Sequence, residues 1–162
     1  MATIAQQSMI VAFTISGNAP FVQSFPEAAN QAFKAGEPVY LVAGYATECG
    51  DDPSAILGIA ADDGHDDTAS GTHDVGVYIP TPDMVFEANI YGGGNVTAIT
   101  DVGRSMGIHR DTTNSKLYVD KGDTANHRVV VIGLSKKDVV GDTYGRVLCQ
   151  FEQKYLQLQA TS

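Results

Sequence analysis

Val75-Gly76-Val77-Tyr78-Ile79-Pro80-Thr81-Pro82-Asp83-Met84-Val85-Phe86-Glu87-Ala88-Asn89-Ile90 decides the fold class. Apolar side chains recur at every second residue in Val75/Val77/Ile79 and again in Met84/Phe86/Ala88/Ile90. That period places each set on one face of a strand. Pro80 and Pro82 cannot donate to a ladder, so the chain turns between the two strands. Upstream, Phe33 to Val42 and Ile56-Leu57-Gly58-Ile59-Ala60 supply further short apolar runs bounded by turn residues. The stretch from Ala35 to Tyr91 therefore reads as a small antiparallel barrel or sandwich.

The second half continues in the same style. Ser105 to Arg110 and Lys116 to Asp120 flank Asp111-Thr112-Thr113-Asn114-Ser115 as a hairpin. Arg128 to Leu134 is an apolar run short enough for a buried strand, and Val147/Cys149/Phe151 alternate again. No long helical period occurs, so the class is all-β with at most one short helix. That helix is expected within Ser24 to Gly36, where Pro26 and Glu27 sit near a first turn and Gly36 can end it. Tyr91-Gly92-Gly93-Gly94-Asn95 breaks the chain into a first β half, 25–91, and a second β half or subdomain, 95–162.

Met1 to Ser24 carries no charged side chain. It is either a first strand or an extended arm that adds an edge strand to another chain. The arm is preferred, because no tight turn ties it to the next strand.

Composition sets limits. With 10 Lys+Arg against 19 Asp+Glu the formal net charge is −9, the wrong sign for a phosphate-binding surface, so nucleic acid is not an expected partner. Charged residues are 18%, below the usual quarter or so, which fits either surface buried in partners or a turn-rich β protein. Cys49 and Cys149 read as two buried thiols, and pairing them would need Cα atoms within roughly 7 Å. No apolar run approaches the roughly 18 residues of a membrane span, and no Lys or Arg precedes Lys34. The expectation is a soluble protein made in the cytoplasm.

Three motifs invite chemistry. Gly103-Arg104-Ser105-Met106-Gly107 matches the nucleophile elbow of serine hydrolases, but no helix follows it, and His109 and His127 lack a fitting acid. Asp62-Asp63-Gly64-His65-Asp66-Asp67, with His73 and Asp74, offers metal donors without calcium-loop or zinc-finger spacing, and a solvated loop is the preferred reading. Gly92-Gly93-Gly94 lacks the lysine of a phosphate loop and reads as a connector. No catalytic, cofactor-binding or metal-binding residues are assigned.

Phe33 to Val42, Ile56 to Ala60 and Pro82 to Ala88 resemble the head decoration (cement) proteins of tailed bacteriophages. The likeness continues through Asp101-Val102-Gly103, Leu117 to Asp120, Arg128 to Val131 and Gly145 to Leu148, covering roughly Phe25 to Leu158. The resemblance implies a non-enzymatic structural virion protein, made in the host cytoplasm and bound to the outer capsid surface. It implies a β-tulip-like barrel, a homotrimer, and the major capsid protein as partner, with no cofactor, nucleic acid or membrane. It also makes Met1 to Ser24 a capsid-contacting arm, with Ile4, Met9, Ile10, Val11, Phe13 and Ile15 as its contact residues. The rival readings are a surface glycan-binding β module, for which Tyr is available but no Trp, and a small serine hydrolase acting through Ser105.

Overall fold

The structure is a computed structural model that describes residues 1–158. The last four residues of the expected second half lie outside the described residues. Eleven strands follow one another among the described residues. They are β1 (Ile10–Thr14), β2 (Val22–Pro26), β3 (Pro38–Val42), β4 (Tyr45–Glu48), β5 (Gly58–Ala60) and β6 (Asp74–Tyr78). Then come β7 (Met84–Tyr91), β8 (Ser105–Asp111), β9 (Lys116–Asp120), β10 (Val129–Leu134) and β11 (Arg146–Phe151). The chain is all-β, a closed barrel joined to a second sheet.

The barrel runs β7-β11-β10-β8-β9 and closes where β9 pairs with β7 in parallel, Ile90 opposite Val119 and Tyr91 opposite Asp120. β7 is long enough to hold two neighbours on the side away from β11. Its first half pairs with β1 and its end with β9. The alternation at Met84/Phe86/Ala88/Ile90 points these side chains inward, where they meet Met106, Leu117, Val131 and Cys149. Phe86 packs edge-on against Phe151, with centroids 5.2 Å apart. The bulge between Val131 and Gly133 bends β10, as closure of so small a barrel requires.

The second sheet runs β2-β6-β5-β3-β4 around Phe25, Phe33, Val39, Leu57, Val75 and Val77. The two cores share the segment around β5. Ile56 and Ile59 belong to the barrel core, whereas Leu57 and Ala60 belong to the sheet core. Gly58 permits this contact, since a Cβ there would lie 2.0 Å from the Tyr78 carbonyl oxygen. Arg110, from β8 of the barrel, clamps the two bodies together. Its Nε donates to Glu37 at 2.9 Å, its Nη2 to Glu48 at 3.1 Å and its Nη1 to the Cys49 carbonyl at 3.0 Å. Arg128 adds a second clamp to the Pro53 and Asp52 carbonyls, with its guanidinium 4.0 Å from the centre of the Tyr155 ring.

The expected helix in Ser24 to Gly36 is not formed. Pro26 ends β2, and Glu27 bridges to Ala46. The Glu27 carboxylate is taken up by His65 rather than by the N–H groups of a first helical turn. Helical geometry among the described residues is confined to 3₁₀ turns at Gly93–Asn95, Ile99–Asp101 and Gln153–Tyr155. The two bodies also divide differently from the halves drawn at 91–95. One body takes β1 and β7 to β11, and the other takes β2 to β6. The end of the expected arm at Ser24 falls inside β2. The hairpin of Ser105 to Asp120 forms as read, with Asp111 closing β8 and its Oδ1 accepting from the N–H groups of Thr113 and Asn114.

Candidate functional site

The N-terminal segment is extended, but it lies along its own barrel. Ile4 donates its N–H to the Thr143 carbonyl at 2.8 Å. The fully buried Asn89 side chain, pointing away from the barrel core, accepts from the Gln7 N–H at 2.8 Å. The same amide donates to the Ala5 carbonyl at 3.2 Å and to the Tyr144 carbonyl at 2.6 Å. β1 then pairs antiparallel with β7, Ile10 opposite Glu87 and Thr14 opposite Met84, with a bulge between Val11 and Phe13.

This geometry splits the six arm residues named from sequence. Met9 is buried in the barrel core, Val11 packs against it, and Ile4 is half-buried. Ile10, Phe13 and Ile15 face outward, exposed to 43%, 46% and 65%. Three residues thus hold the segment down and three are presented to solvent. β1 has a second edge to which no strand pairs among the described residues. β2 is likewise an edge, and Val22 at its start and Phe21 just before it are both nearly half exposed. Sequence reading did not single out these two. Their signal was the absence of charge from Met1 to Pro26.

Beside β1 lies a groove of about 480 Å³, walled by Ile10, Val11, Phe13, Leu134 and Leu148. Glu87 forms part of its lining and is buried, yet fully engaged. It accepts from Ser135 Oγ at 3.0 Å, Lys137 Nζ at 3.0 Å and Gln7 Nε2 at 3.3 Å. The groove crosses the paired side of β1, over β7 and β11 to the end of β10, and Ser135, Lys136 and Lys137 line it with the apolar residues. The opposite, unpaired edge of β1 is the one that suits an added extended strand.

The other motifs fall elsewhere. Ser105 opens β8 and is followed by strand, and among the described residues its hydroxyl makes no hydrogen bond to His109 or His127. His109 instead stacks on Tyr91 at 4.2 Å, beside Tyr118. Gly92 to Gly94 turn the chain at the end of β7, all with positive φ. Cys49 and Cys149 are free and buried, and burial pushes both thiols up to about 12.

The acidic loop between β5 and β6 folds back on itself. The rings of His65 and His73 stack with centroids 4.2 Å apart and planes 11° from parallel. Asp67 Oδ2 lies 2.5 Å from His73 Nδ1, and Glu27 Oε2 lies 2.8 Å from His65 Nδ1. The hydrogen bond that His65 donates to the Glu27 carboxylate raises the His65 pKa above the ordinary histidine value. One donor atom from each of His65, Asp67 and His73 lies within 4.8 Å of the others.

No protein-family model, curated protein or solved structure matches the chain. No helix among the described residues is long and apolar enough to cross a membrane.

Proposed function

We propose that this chain is a structural virion protein that binds the outer surface of an expanded bacteriophage capsid and cements neighbouring capsid subunits together. The observation that carries the reading is β1, an uncharged edge strand that shows Ile10 and Phe13 to solvent next to an apolar groove. An extended segment of the major capsid protein would add to that free edge, its backbone supplying affinity and its side chains packing on the exposed Ile10 and Phe13. Two further features support the same role. The net charge of −9 suits a protein held outside the shell, away from packaged DNA. The Arg110 and Arg128 clamps make barrel and sheet one rigid body, so contacts made by each can act on different capsid subunits.

Assembly as a homotrimer would multiply these contacts. Once one is made, the next is intramolecular, and avidity rises steeply with modest individual affinities. A protein that binds only the expanded lattice stabilises it by mass action. The test is addition of the purified chain to undecorated expanded heads. The reading expects co-sedimentation and a higher head-disruption temperature, and absence of binding to such heads overturns it.

A further inference from the structure

We propose that His65, Asp67 and His73 form a binding site for a divalent first-row transition cation such as zinc, with Glu27 orienting His65 from behind. Two imidazoles and one carboxylate are a nitrogen-rich donor set suited to zinc, nickel or copper, whereas calcium and magnesium favour oxygen alone. All three residues stand on one loop and none is used by the capsid-binding surface of β1.

The loop is built to hold these groups together, and Glu27 is its anchor. The Glu27 N–H donates to the His73 carbonyl at 2.9 Å. Its carbonyl accepts from the Gly71 N–H at 2.8 Å, and its carboxylate accepts from the His65 N–H at 2.7 Å. Asp67 is fixed separately, its carbonyl accepting from the Asn30 N–H at 2.6 Å. Both ends of the loop therefore hang on one residue whose side chain is only 2% exposed.

The Glu27 contact also sets the tautomer of His65. A carboxylate only accepts, so Nδ1 carries a proton, and in the neutral ring Nε2 keeps its lone pair for an ion. A buried carboxylate on the far nitrogen of a ligating histidine is the common arrangement at zinc sites. Asp67, now bonded to His73, has a second oxygen free of that contact. Donors of a tetrahedral zinc ion lie about 3.4 Å apart, given bonds of roughly 2.0–2.1 Å. One donor atom from each residue lies within 4.8 Å of the others, and the Asp67–His73 hydrogen bond gives way as the side chains turn to the ion's spacing. The side chains of His65 and His73, 39% and 50% exposed, have the freedom to make that move. The remaining coordination positions face solvent, so water completes the shell and the ion staples the loop shut.

The test is calorimetric titration of the full chain with zinc chloride, repeated with cobalt chloride so that the visible spectrum reports coordination. One ion per chain is expected, with H65A and H73A each weakening binding at least tenfold. E27Q should weaken it roughly tenfold while keeping one site, the usual loss for removal of an orienting carboxylate. H109A, on the far barrel face, should bind as the wild type does. Far-UV circular dichroism checks that each variant is folded. If H65A misfolds, H73A decides, since that half-exposed ring touches only the loop. No zinc binding by the wild type, or binding undiminished in H73A, overturns the proposal and leaves a hydrogen-bonded histidine stack. Because the titration uses no capsid, its outcome is independent of the capsid-binding test.

Discussion

Asn89 Oδ1 accepts the backbone N–H of Gln7 at 2.8 Å. Through this contact a polar residue of β7 fastens the N-terminal segment to the barrel. Its amide also serves the Ala5 and Tyr144 carbonyls, so one side chain satisfies three backbone groups. Asn89→Ala leaves these groups without their partner, at about 1–3 kcal/mol for a buried one. The expected loss in urea unfolding is about 2–3 kcal/mol, together with faster proteolysis within residues 1–14. Unchanged stability would mean that the segment is not held as described.

Arg110 should matter more than any exposed ion pair. Its partner Glu37 is 1% exposed, and removing the guanidinium strands a buried carboxylate. Arg110→Ala is expected to cost about 3–5 kcal/mol, read as a fall in the urea midpoint. Lys34→Ala breaks only the exposed pair with Asp63 and should cost less than about 1 kcal/mol. Equal effects of the two substitutions would remove Arg110 from its role as the clamp.

Acid should destabilise the fold through Asp138. Its carboxylate accepts from Arg146 Nε at 2.8 Å, from Arg146 Nη2 and from the Arg146 N–H. The Arg146 side chain holds this carboxyl below the ordinary aspartate range, against the opposing effect of burial. A folded-state pKa below the unfolded one means that the unfolded chain binds more protons in that window. The contribution is therefore complete above the unfolded value of roughly 3.9 and is lost as pH falls through the folded one. Asp111 and Asp123 are also lowered and act in the same sense. Urea midpoints measured from pH 6 down to pH 2 should fall, and Asp138→Asn should flatten the slope. An unaltered slope in that variant would contradict the assignment.

The two thiols offer a simple probe of the barrel core, at Cys149, and of the Arg110 clamp, at Cys49. Burial keeps Cys49 and Cys149 protonated at neutral pH, and the thiolate is the reactive form. The native chain should react negligibly with a thiol reagent at pH 7.5, and the unfolded chain should release two equivalents. Fast native labelling would show the barrel core or the clamp region to be open.

Much of the barrel was legible because its signals are local. Alternation marks β6, β7 and β11, and Asp111 to Ser115 carries its own turn chemistry. Closure was not legible, since the parallel pairing of β7 with β9 joins residues far apart in sequence and leaves no periodic trace. The helix expected after Ser24 failed for a related reason. Pro26 and Glu27 are sound local helix signals, but a distant histidine claims the carboxylate. The N-terminal segment was read correctly as extended, but the preferred free arm is instead a first strand paired with the chain's own β7. What tied it down was written in Glu87 and Asn89, polar residues at the positions of β7 that point away from the barrel core. His65, Asp67 and His73 were visible as residues, yet eight positions of loop hid the fold-back that stacks His65 on His73.

The exposed face of β1 can be tested apart from the buried one. Phe13→Asp and Ile15→Asp place charge on side chains already 46% and 65% exposed, so stability should shift by less than about 1 kcal/mol. Affinity for expanded heads should fall at least tenfold in a sedimentation assay. Retained affinity would move the contact away from this strand. Deleting residues 1–24 is a poorer test, because it also removes Met9 from the barrel core and should destabilise the whole domain.

The most direct measurement is an electron cryo-microscopy reconstruction of expanded phage heads mixed with this protein. Density for the barrel and sheet is expected on the outer surface, with the free edge of β1 and Phe13 against a segment of the major capsid protein. Bare heads at saturating protein, or bound density with β1 turned to solvent, would contradict the account.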